Sequence, residues 1–246
     1  MRRLTILTLA ALAQACSGGA PASQTPATNT QPAPDANAHH DPHHHHDAHH
    51  HHHGPMVHGF THAENWAKRF DAPGRDKWQK PEEVVALMAI SPGMVVADIG
   101  AGTGYFLPHL SRAVGKNGKV WGLDISQDMV RYMKARVNKH GLDNVNPRLV
   151  KADDPLLGPA SVDRILIVDT WHHIAERPAY ARKLAAALRP GGKLVIVDFT
   201  AEAKHGPPKK FRLTPASVVA ELSAAGLKPT IAKETLPAQY VIVADR

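Results

Sequence analysis

Apolar, strand-like segments alternate with helical segments along the C-terminal part of the chain. The strand-like runs are residues 94–99, 119–123, 145–151, 161–168 and 193–199, and the helical segments are residues 105–114, 127–140, 176–188 and 215–225. Strands that alternate with helices of about ten residues or more form βαβ units, whose parallel sheet is covered by helices on both faces. This alternation excludes an all-helical or all-β domain.

The last two apolar runs are connected differently from the others. Residues 228–235 and 239–244 are joined by the short turn Leu236-Pro237-Ala238. A linker of this length cannot hold a crossover helix, so the two runs must form an antiparallel hairpin. The sequence therefore predicts an α/β fold: a three-layer α/β/α sandwich with a mostly parallel seven-stranded sheet and a closing antiparallel hairpin. We assign residues 59–246 to this domain.

The N-terminus has the pattern of an export signal. Met1-Arg2-Arg3 precedes an uncharged apolar run at residues 4–15, which is too short to span a bilayer and is typical of a secretory signal. Ala13-Gln14-Ala15-Cys16 is similar to the bacterial lipoprotein box, in which the cysteine is lipidated and becomes the mature N-terminus. We predict a signal peptide at residues 1–15 and an exported, periplasm-facing outer-membrane lipoprotein, attached to the membrane only through a lipidated Cys16. A cleaved signal that gives a soluble periplasmic protein, and a cytoplasmic protein, are the alternatives.

Residues 16–58 are predicted to be a disordered tether that carries a His-rich tract. Thirteen of the 18 histidines lie between His39 and His62. Neutral imidazole binds zinc, nickel and copper, and the irregular spacing indicates exchangeable sites without a fixed geometry. The candidate ligands are His43, His44, His45, His46, His49, His50, His51, His52 and His53. An inert polar tract is the alternative.

Charge and cysteine content exclude several classes of function. The 29 Lys and Arg residues exceed the 22 Asp and Glu residues, which gives a net charge of +7, but they are scattered and interleaved with acids. Without a basic block we expect no nucleic-acid partner. The single cysteine excludes an intramolecular disulfide and any zinc or iron–sulfur site built from cysteines.

A glycine-rich turn follows the first strand. Gly100-Ala101-Gly102-Thr103-Gly104 leads into a helix, and Tyr105 stands where the dinucleotide fingerprint requires a third small residue, so that fingerprint fails. Asp124 ends the second strand, where a carboxylate can accept hydrogen bonds from both hydroxyls of a ribose. Asp153 follows the third strand and can accept one from an adenine amino group.

These three features, in order at consecutive strand ends, resemble the class I S-adenosylmethionine-dependent methyltransferases, and in detail the quinone-biosynthesis-type branch with its Rossmann-like fold. The similarity runs from about residue 78 to the C-terminus and includes Leu188-Arg189-Pro190-Gly191-Gly192-Lys193-Leu194. The resemblance implies S-adenosylmethionine as cofactor. It places Asp98, Gly100, Ala101 and Gly102 at the methionine moiety, Asp124 at the ribose, Ile125 and Met129 beside the adenine, and Asp153 or the adjacent Asp154 at its amino group. A nucleotide-binding protein that transfers no methyl group is the alternative.

Polar side chains after the fourth strand are the candidates for acceptor chemistry. Asp169, His172 and His173 follow that strand, at the edge where open α/β sheets bind ligands. Either histidine could take a proton from an acceptor near neutral pH, or the pair could merely pack the loop, and Asp169 is assigned to the cofactor. The sequence thus predicts a methyltransferase acting on an unidentified small molecule. The alternative is an exported metal-binding lipoprotein whose methyltransferase-like domain has lost catalysis.

Overall fold

The computed structural model of the protein describes residues 62–246. The predicted signal peptide, Cys16, the tether and the His-rich tract lie outside the described residues and stay predictions. The helices are α1 (Ala63–Phe70), α2 (Arg75–Gln79), α3 (Pro81–Leu87), α4 (Leu107–Val114), α5 (Gln127–His140), α6 (Arg177–Ala187) and α7 (Pro215–Ala224). The strands are β1 (Val95–Ile99), β2 (Lys119–Asp124), β3 (Val145–Leu149), β4 (Val162–Val168), β5 (Leu188–Phe199), β6 (Lys228–Ile231) and β7 (Gln239–Asp245).

The seven strands form one sheet in the order β3-β2-β1-β4-β5-β7-β6. Strands β1 to β5 are parallel, and β7 runs antiparallel to both β5 and β6. The predicted mixed sheet with its closing hairpin is therefore confirmed. Because β1 has β2 on one side and β4 on the other, the connections leave β1 in opposite directions and open a crevice at its carboxyl end.

Two apolar clusters cover the two faces of the sheet. Helices α3, α4 and α5 pack on one face, where Leu107, Leu110 and Met133 are fully buried. Helices α6 and α7 pack on the other face, through residues such as Leu184 and Leu222. Successive strand residues point to opposite faces, so a strand covered on both sides must be apolar throughout. The central strands have this pattern, which gives the three layers.

Local signals reproduce several boundaries and miss one. Helix α5 has the predicted bounds, since the Ser126 side chain caps it and Gly141 ends it in the left-handed conformation, as both residue types favour. The predicted start of the fifth strand, at residue 193, is wrong. Strand β5 begins at Leu188, directly after α6, and Arg189-Pro190-Gly191-Gly192 is contained in the strand as an irregularity opposite Val162 and Arg164. Among residues 62–246, no helix combines the length and apolarity needed to cross a bilayer.

Candidate active site

A cavity of about 620 Å³ opens at the carboxyl ends of β1, β2 and β4. Its floor is formed by the turns that leave these strands, and α1, α2 and the loop at residues 205–208 lie over it. The sequence-predicted residues in its lining are Asp98, Gly100, Ala101, Gly102, Asp124, Ile125, Met129, Asp169, His172 and His173. Residues separated by up to 75 positions in the chain thus share one cavity because parallel strands end at the same edge of the sheet.

The glycine turn is tied to the end of β2 by main-chain hydrogen bonds. The Gly100 and Ala101 N–H groups donate to the Leu123 carbonyl oxygen at 2.8 and 3.0 Å. Gly100 has φ 68°, and a Cβ there would lie 2.4 Å from the Thr170 side chain. Only glycine combines this conformation with this close approach. The turn therefore holds its backbone directly against the cavity.

Main-chain hydrogen bonds fix the Asp124 carboxylate. Ser126 N–H donates to Oδ1 and Gly102 N–H to Oδ2, both at 2.8 Å. Burial raises the pKa of Asp124, and the backbone N–H groups of Ser126, Gly102 and Ile125 oppose the rise. A carboxylate has about four lone-pair sites for hydrogen bonds, so a fixed carboxylate with these donors keeps acceptor capacity for a ligand hydroxyl. We call Asp98, Gly100, Ala101, Gly102 and Asp124 together the carboxylate side of the cavity.

Two further carboxyl groups are held where ionisation is costly. Burial raises the pKa of Asp98 to about 7, the Asp124 charge adds to the rise, and Arg75 opposes it. Burial and the Asp198 charge raise the pKa of Asp169 to about 7, while Arg75, His172 and the Gln239 amide oppose it. Taking a carboxylate out of water disfavours its charged form. A cation entering the cavity would relieve this cost, so the site favours a positively charged ligand.

His172 forms a buried pair with Asp198. It lies in the 3₁₀ turn Trp171–His173, and its Nδ1 lies 2.9 and 3.0 Å from Asp198 Oδ1 and Oδ2. Asp198 is fully buried at the end of β5, and an ionised carboxylate accepts hydrogen bonds only. Nδ1 therefore carries a proton, and Nε2 is the nitrogen that can accept one. His173 stacks beside His172 with ring centroids 4.3 Å apart and also lines the cavity.

Aromatic side chains also line the cavity. Trp78 on α2 packs against Phe199 and His205, with centroid distances of 6.2 and 4.7 Å, and Trp66 and Phe70 on α1 lie 5.5 Å apart. All five residues line the cavity, and we call them the aromatic wall. Apolar pockets with a few fixed polar groups are typical of small-molecule sites.

The structure does not bring Asp153 and Asp154 into the cavity lining. A turn closed by hydrogen bonds between the main chains of Lys151 and Asp154 directs this segment towards α6. There Lys183 Nζ donates to the Asp153 carbonyl oxygen at 2.6 Å and lies 3.5 Å from the Asp154 carboxylate. Lys151 and Ala152 line the cavity instead. The role of Asp153 and Asp154 at the adenine amino group stays a prediction.

Sequence reasoning missed several residues of the site. No pattern in the sequence marks His205, yet its exposed ring packs on Trp78 and Phe199. Asp198 interrupts an apolar strand, and this acid in an otherwise buried run is a signal that could have found it. Arg75 and Trp78 carry no comparable signal, because only the fold brings α2 to the cavity. Within residues 62–246, no cluster of three or more His, Cys, Asp or Glu side chains could hold a metal ion.

Comparison with known proteins places this cavity in a family. A family model described as a methyltransferase domain matches residues 90–233. The crystal structure of an S-adenosylmethionine-dependent methyltransferase from Aquifex aeolicus superposes with a TM-score of 0.69 and 30% sequence identity, over 74% of this chain and 97% of that chain.

Curated relatives match over a shorter range. A ubiquinone/menaquinone biosynthesis C-methyltransferase of Bordetella parapertussis is 31% identical over 121 residues, 49% of this chain and 46% of that protein. A nocamycin O-methyltransferase of Saccharothrix syringae is 31% identical over 126 residues, 51% of this chain and 45% of that protein. The chain thus spans about half the length of these relatives. The family model covers the glycine turn and strands β1 to β6, and the Aquifex structure matches 74% of the chain at 30% identity. On this ground the chain belongs to the S-adenosylmethionine-dependent methyltransferases.

Proposed function

We propose that this protein transfers a methyl group from S-adenosylmethionine to a small, largely apolar acceptor that carries an ionisable group. One observation carries the proposal. A single cavity joins the carboxylate side to the aromatic wall, and His172, which is paired with the buried Asp198, lies in the same lining. Methyl transfer needs a nucleophile held in line with the methyl group and, for some acceptors, a base. The cavity offers both a place to orient an acceptor and a base.

The carboxylate side fits S-adenosylmethionine on chemical grounds. The cofactor supplies an electrophilic methyl group on a positively charged sulfur. Asp124, whose carboxylate is fixed at the end of β2, would hold the ribose hydroxyls, and Ile125 and Met129 would flank the adenine. The backbone of the glycine turn, beside Asp98 and Asp169, would hold the methionine moiety with its ammonium group. The raised pKa values of Asp98 and Asp169 support this assignment, because a nearby positive charge stabilises the ionised form of a buried carboxyl group.

The His172–Asp198 pair supports a base-assisted transfer. Asp198 keeps the proton on Nδ1 and orients the ring, so Nε2 accepts the proton of an acceptor hydroxyl or acidic carbon. A positioned general base of this kind contributes about 10²–10⁴-fold to a rate. The aromatic wall would contact the apolar body of the acceptor. The named relatives act in quinone biosynthesis and as an O-methyltransferase, so phenolic and quinol rings are the first acceptors to test.

Calorimetry followed by a turnover assay tests the proposal with the full chain. We expect S-adenosylmethionine and S-adenosylhomocysteine to bind with one site per chain, and a panel of phenols and quinols to release S-adenosylhomocysteine in the presence of protein. No binding of either ligand would reject the proposal. Binding without transfer to any acceptor would favour the alternative of a methyltransferase-like domain that has lost catalysis.

We also propose, from the sequence, that the protein is exported and anchored through Cys16, and that the His-rich tract binds zinc, nickel or copper. Labelling with a radioactive fatty acid should mark the wild-type chain and not Cys16→Ser. Deleting residues 39–53 should abolish metal binding and leave cofactor affinity unchanged, because the lining residues that the structure describes all belong to the folded part of the chain. Lipid labelling of Cys16→Ser, or full metal binding by the deletion variant, would reject the corresponding proposal.

A further inference from the structure

Four side chains connect helix α2 to Asp169 through an unbroken series of hydrogen bonds. Arg75 Nη2 and Nε donate to Gln79 Oε1 at 2.9 and 3.3 Å. Gln79 Nε2 donates to Gln239 Oε1 at 2.8 Å, and Gln239 Nε2 donates to Asp169 Oδ1 at 2.6 Å. Both glutamines are fully buried, and neither is in the cavity lining. We call Arg75, Gln79, Gln239 and Asp169 the amide relay.

The chemistry of the two end groups fixes the direction of every bond in the relay. A guanidinium has only donors, so Gln79 must present its oxygen to Arg75 and its NH₂ group to Gln239. Gln239 must then present its oxygen to Gln79 and its NH₂ group to Asp169. An ionised carboxylate has only acceptors, which matches this last donor. Arg75 therefore sets the orientation of an amide that it does not touch.

Asp169 combines an unfavourable backbone conformation with a place in the cavity lining, so hydrogen bonds that fix its side chain are important. Its backbone adopts φ 53°, in the left-handed region that a side chain other than glycine adopts at a cost, and its N–H donates to the Val197 carbonyl oxygen at 2.9 Å. The Asp169 side chain lines the cavity beside the glycine turn. The relay reaches it through Gln239, which is buried and outside the lining.

We propose that Gln79 and Gln239 are positioning residues that favour the ionised form of Asp169 and aim it at the cationic end of the cofactor, and that this effect depends on the direction of the relay. The inference rests on the proposed function for the identity of the cofactor. Gln79 and Gln239 touch neither ligand nor reacting atoms. They act through Asp169. They also link Asp169 to α2, the helix that carries Trp78 of the aromatic wall.

Reversing the relay gives a test that simple packing would not pass. In Gln79→Glu, the new carboxylate still accepts from Arg75 but has no hydrogen to donate. Gln239 then turns its NH₂ group towards residue 79 and its oxygen towards Asp169. An ionised Asp169 repels that oxygen, whereas a protonated Asp169 donates to it. The other charged or titratable groups facing Asp169 are Asp198, His172 and Arg75, and this substitution leaves all three in place.

The titration of Asp169 is the direct measurement. We would follow the carboxyl carbon of Asp169 by ¹³C NMR on the full-length, cofactor-free protein, with Asp169→Asn used to assign the signal. We expect Gln79→Glu to raise the midpoint by about one pH unit, as the loss of a hydrogen bond to the charged form predicts. Gln79→Met, which cannot force the reversal, should give a smaller shift. Gln127→Glu adds the same charge at an exposed position and should give none.

A double-variant comparison covers the case in which Gln79→Glu folds poorly. Asn at position 169 can offer its NH₂ group to the reversed Gln239 oxygen. Asp169→Asn should therefore restore most of the melting temperature that Gln79→Glu loses, and the loss itself should shrink as the pH falls below the Asp169 midpoint. Equal losses in both backgrounds, including failure of both to fold, would overturn the proposal, as would equal midpoint shifts for Gln79→Glu and Gln127→Glu. Neither measurement uses cofactor, so the two proposals can fail separately. If the predicted shift is observed and the protein binds no S-adenosylmethionine, only the proposed function is rejected.

Discussion

The carboxylate side and the aromatic wall of the cavity are held in place by different kinds of interaction. The carboxylate side consists of consecutive turns at the ends of β1 and β2, and main-chain hydrogen bonds from Gly100, Ala101 and Gly102 fix it. The aromatic wall comes from α1, α2, β5 and the loop that carries His205, and ring contacts between side chains attach α2, β5 and this loop to one another. Main-chain bonds survive most substitutions, whereas side-chain contacts change with each one.

This difference separates the tasks of the two regions. A cofactor shared by a whole family needs a constant frame, which backbone geometry supplies. An acceptor differs between family members, and a wall made of side chains can change without loss of the sheet edge. Substitutions on the carboxylate side should therefore change cofactor affinity, and those in the aromatic wall should change the KM for the acceptor. Substitutions in the His172–Asp198 pair should change the turnover rate.

The largest effect is expected at the base. His172→Gln removes the nitrogen that accepts a proton, so the turnover rate should fall about 10²–10⁴-fold while the affinity for S-adenosylmethionine stays within a few-fold of wild type. Single-turnover rates and calorimetry would measure the two quantities. His109→Gln is the matched control, since His109 pairs with Glu82 away from this cavity. Equal rates for the two variants would show that His172 only packs the loop.

The next largest effect is expected for cofactor binding. Asp124→Ala removes a carboxylate that would bind two ribose hydroxyls, each bond worth about 1.5–3 kcal/mol, and should weaken affinity roughly tenfold to several hundredfold. Asp154→Ala serves as the comparison, because Asp154 follows the third strand but pairs with Lys183 outside the lining. We expect its affinity to stay within about twofold of wild type. A strong loss in Asp154→Ala would restore the adenine role predicted from the sequence.

A smaller effect is expected for the stability of the cofactor-free protein, where substitution of Asp98 should be stabilising. The pKa of Asp98 is about 7 in the fold, raised by burial from an ordinary value of 3.8. The folded protein therefore holds a proton that the unfolded chain has released between pH 4 and 7, and the free energy of unfolding falls as the pH rises through this window.

Asp98→Asn removes this cost. At pH 8 the cofactor-free variant should be more stable than wild type by on the order of 2 kcal/mol, and the difference should vanish near pH 4. Chemical denaturation at the two pH values would measure it. S-adenosylmethionine affinity should fall in the same variant. This would show that the Asp98 carboxylate strengthens cofactor binding although it destabilises the cofactor-free protein. A wild type that is no less stable than the variant at pH 8 would contradict the assigned cost.

The smallest effect is expected in the aromatic wall. Trp78→Leu removes ring contacts with Phe199 and His205, and should raise the KM for an apolar acceptor about tenfold with cofactor affinity unchanged. Trp121→Leu is the control, because Trp121 lies on β2 outside the lining. If Trp78→Leu weakened cofactor binding as strongly as acceptor binding, the two sides of the cavity would not be independent.

The sequence predicted the parts of the site that depend on local signals. The alternation of strands and helices defined the three layers, and the short turn before β7 defined the hairpin. Asp98, Gly100, Ala101, Gly102, Asp124, Ile125 and Met129 all line one cavity, because a strand, its terminal turn and the next helix are contiguous in the chain. The turn sequence Arg189-Pro190-Gly191-Gly192 did not end the strand, because the residues on either side of it, Leu188 and Lys193, both pair with β4.

Only the tertiary structure decided which distant side chains meet. Asp198 reaches His172 because β4 and β5 are neighbours in the sheet. Gln79 reaches Gln239 across 160 positions, and no periodicity in either segment marks that contact. Asp153 and Asp154 show the converse, since both follow the third strand but neither is in the cavity lining. Spacing along a chain sets which edge of a sheet a residue follows. The direction of its side chain depends on packing against segments far away in the sequence, and those contacts form only in the folded protein.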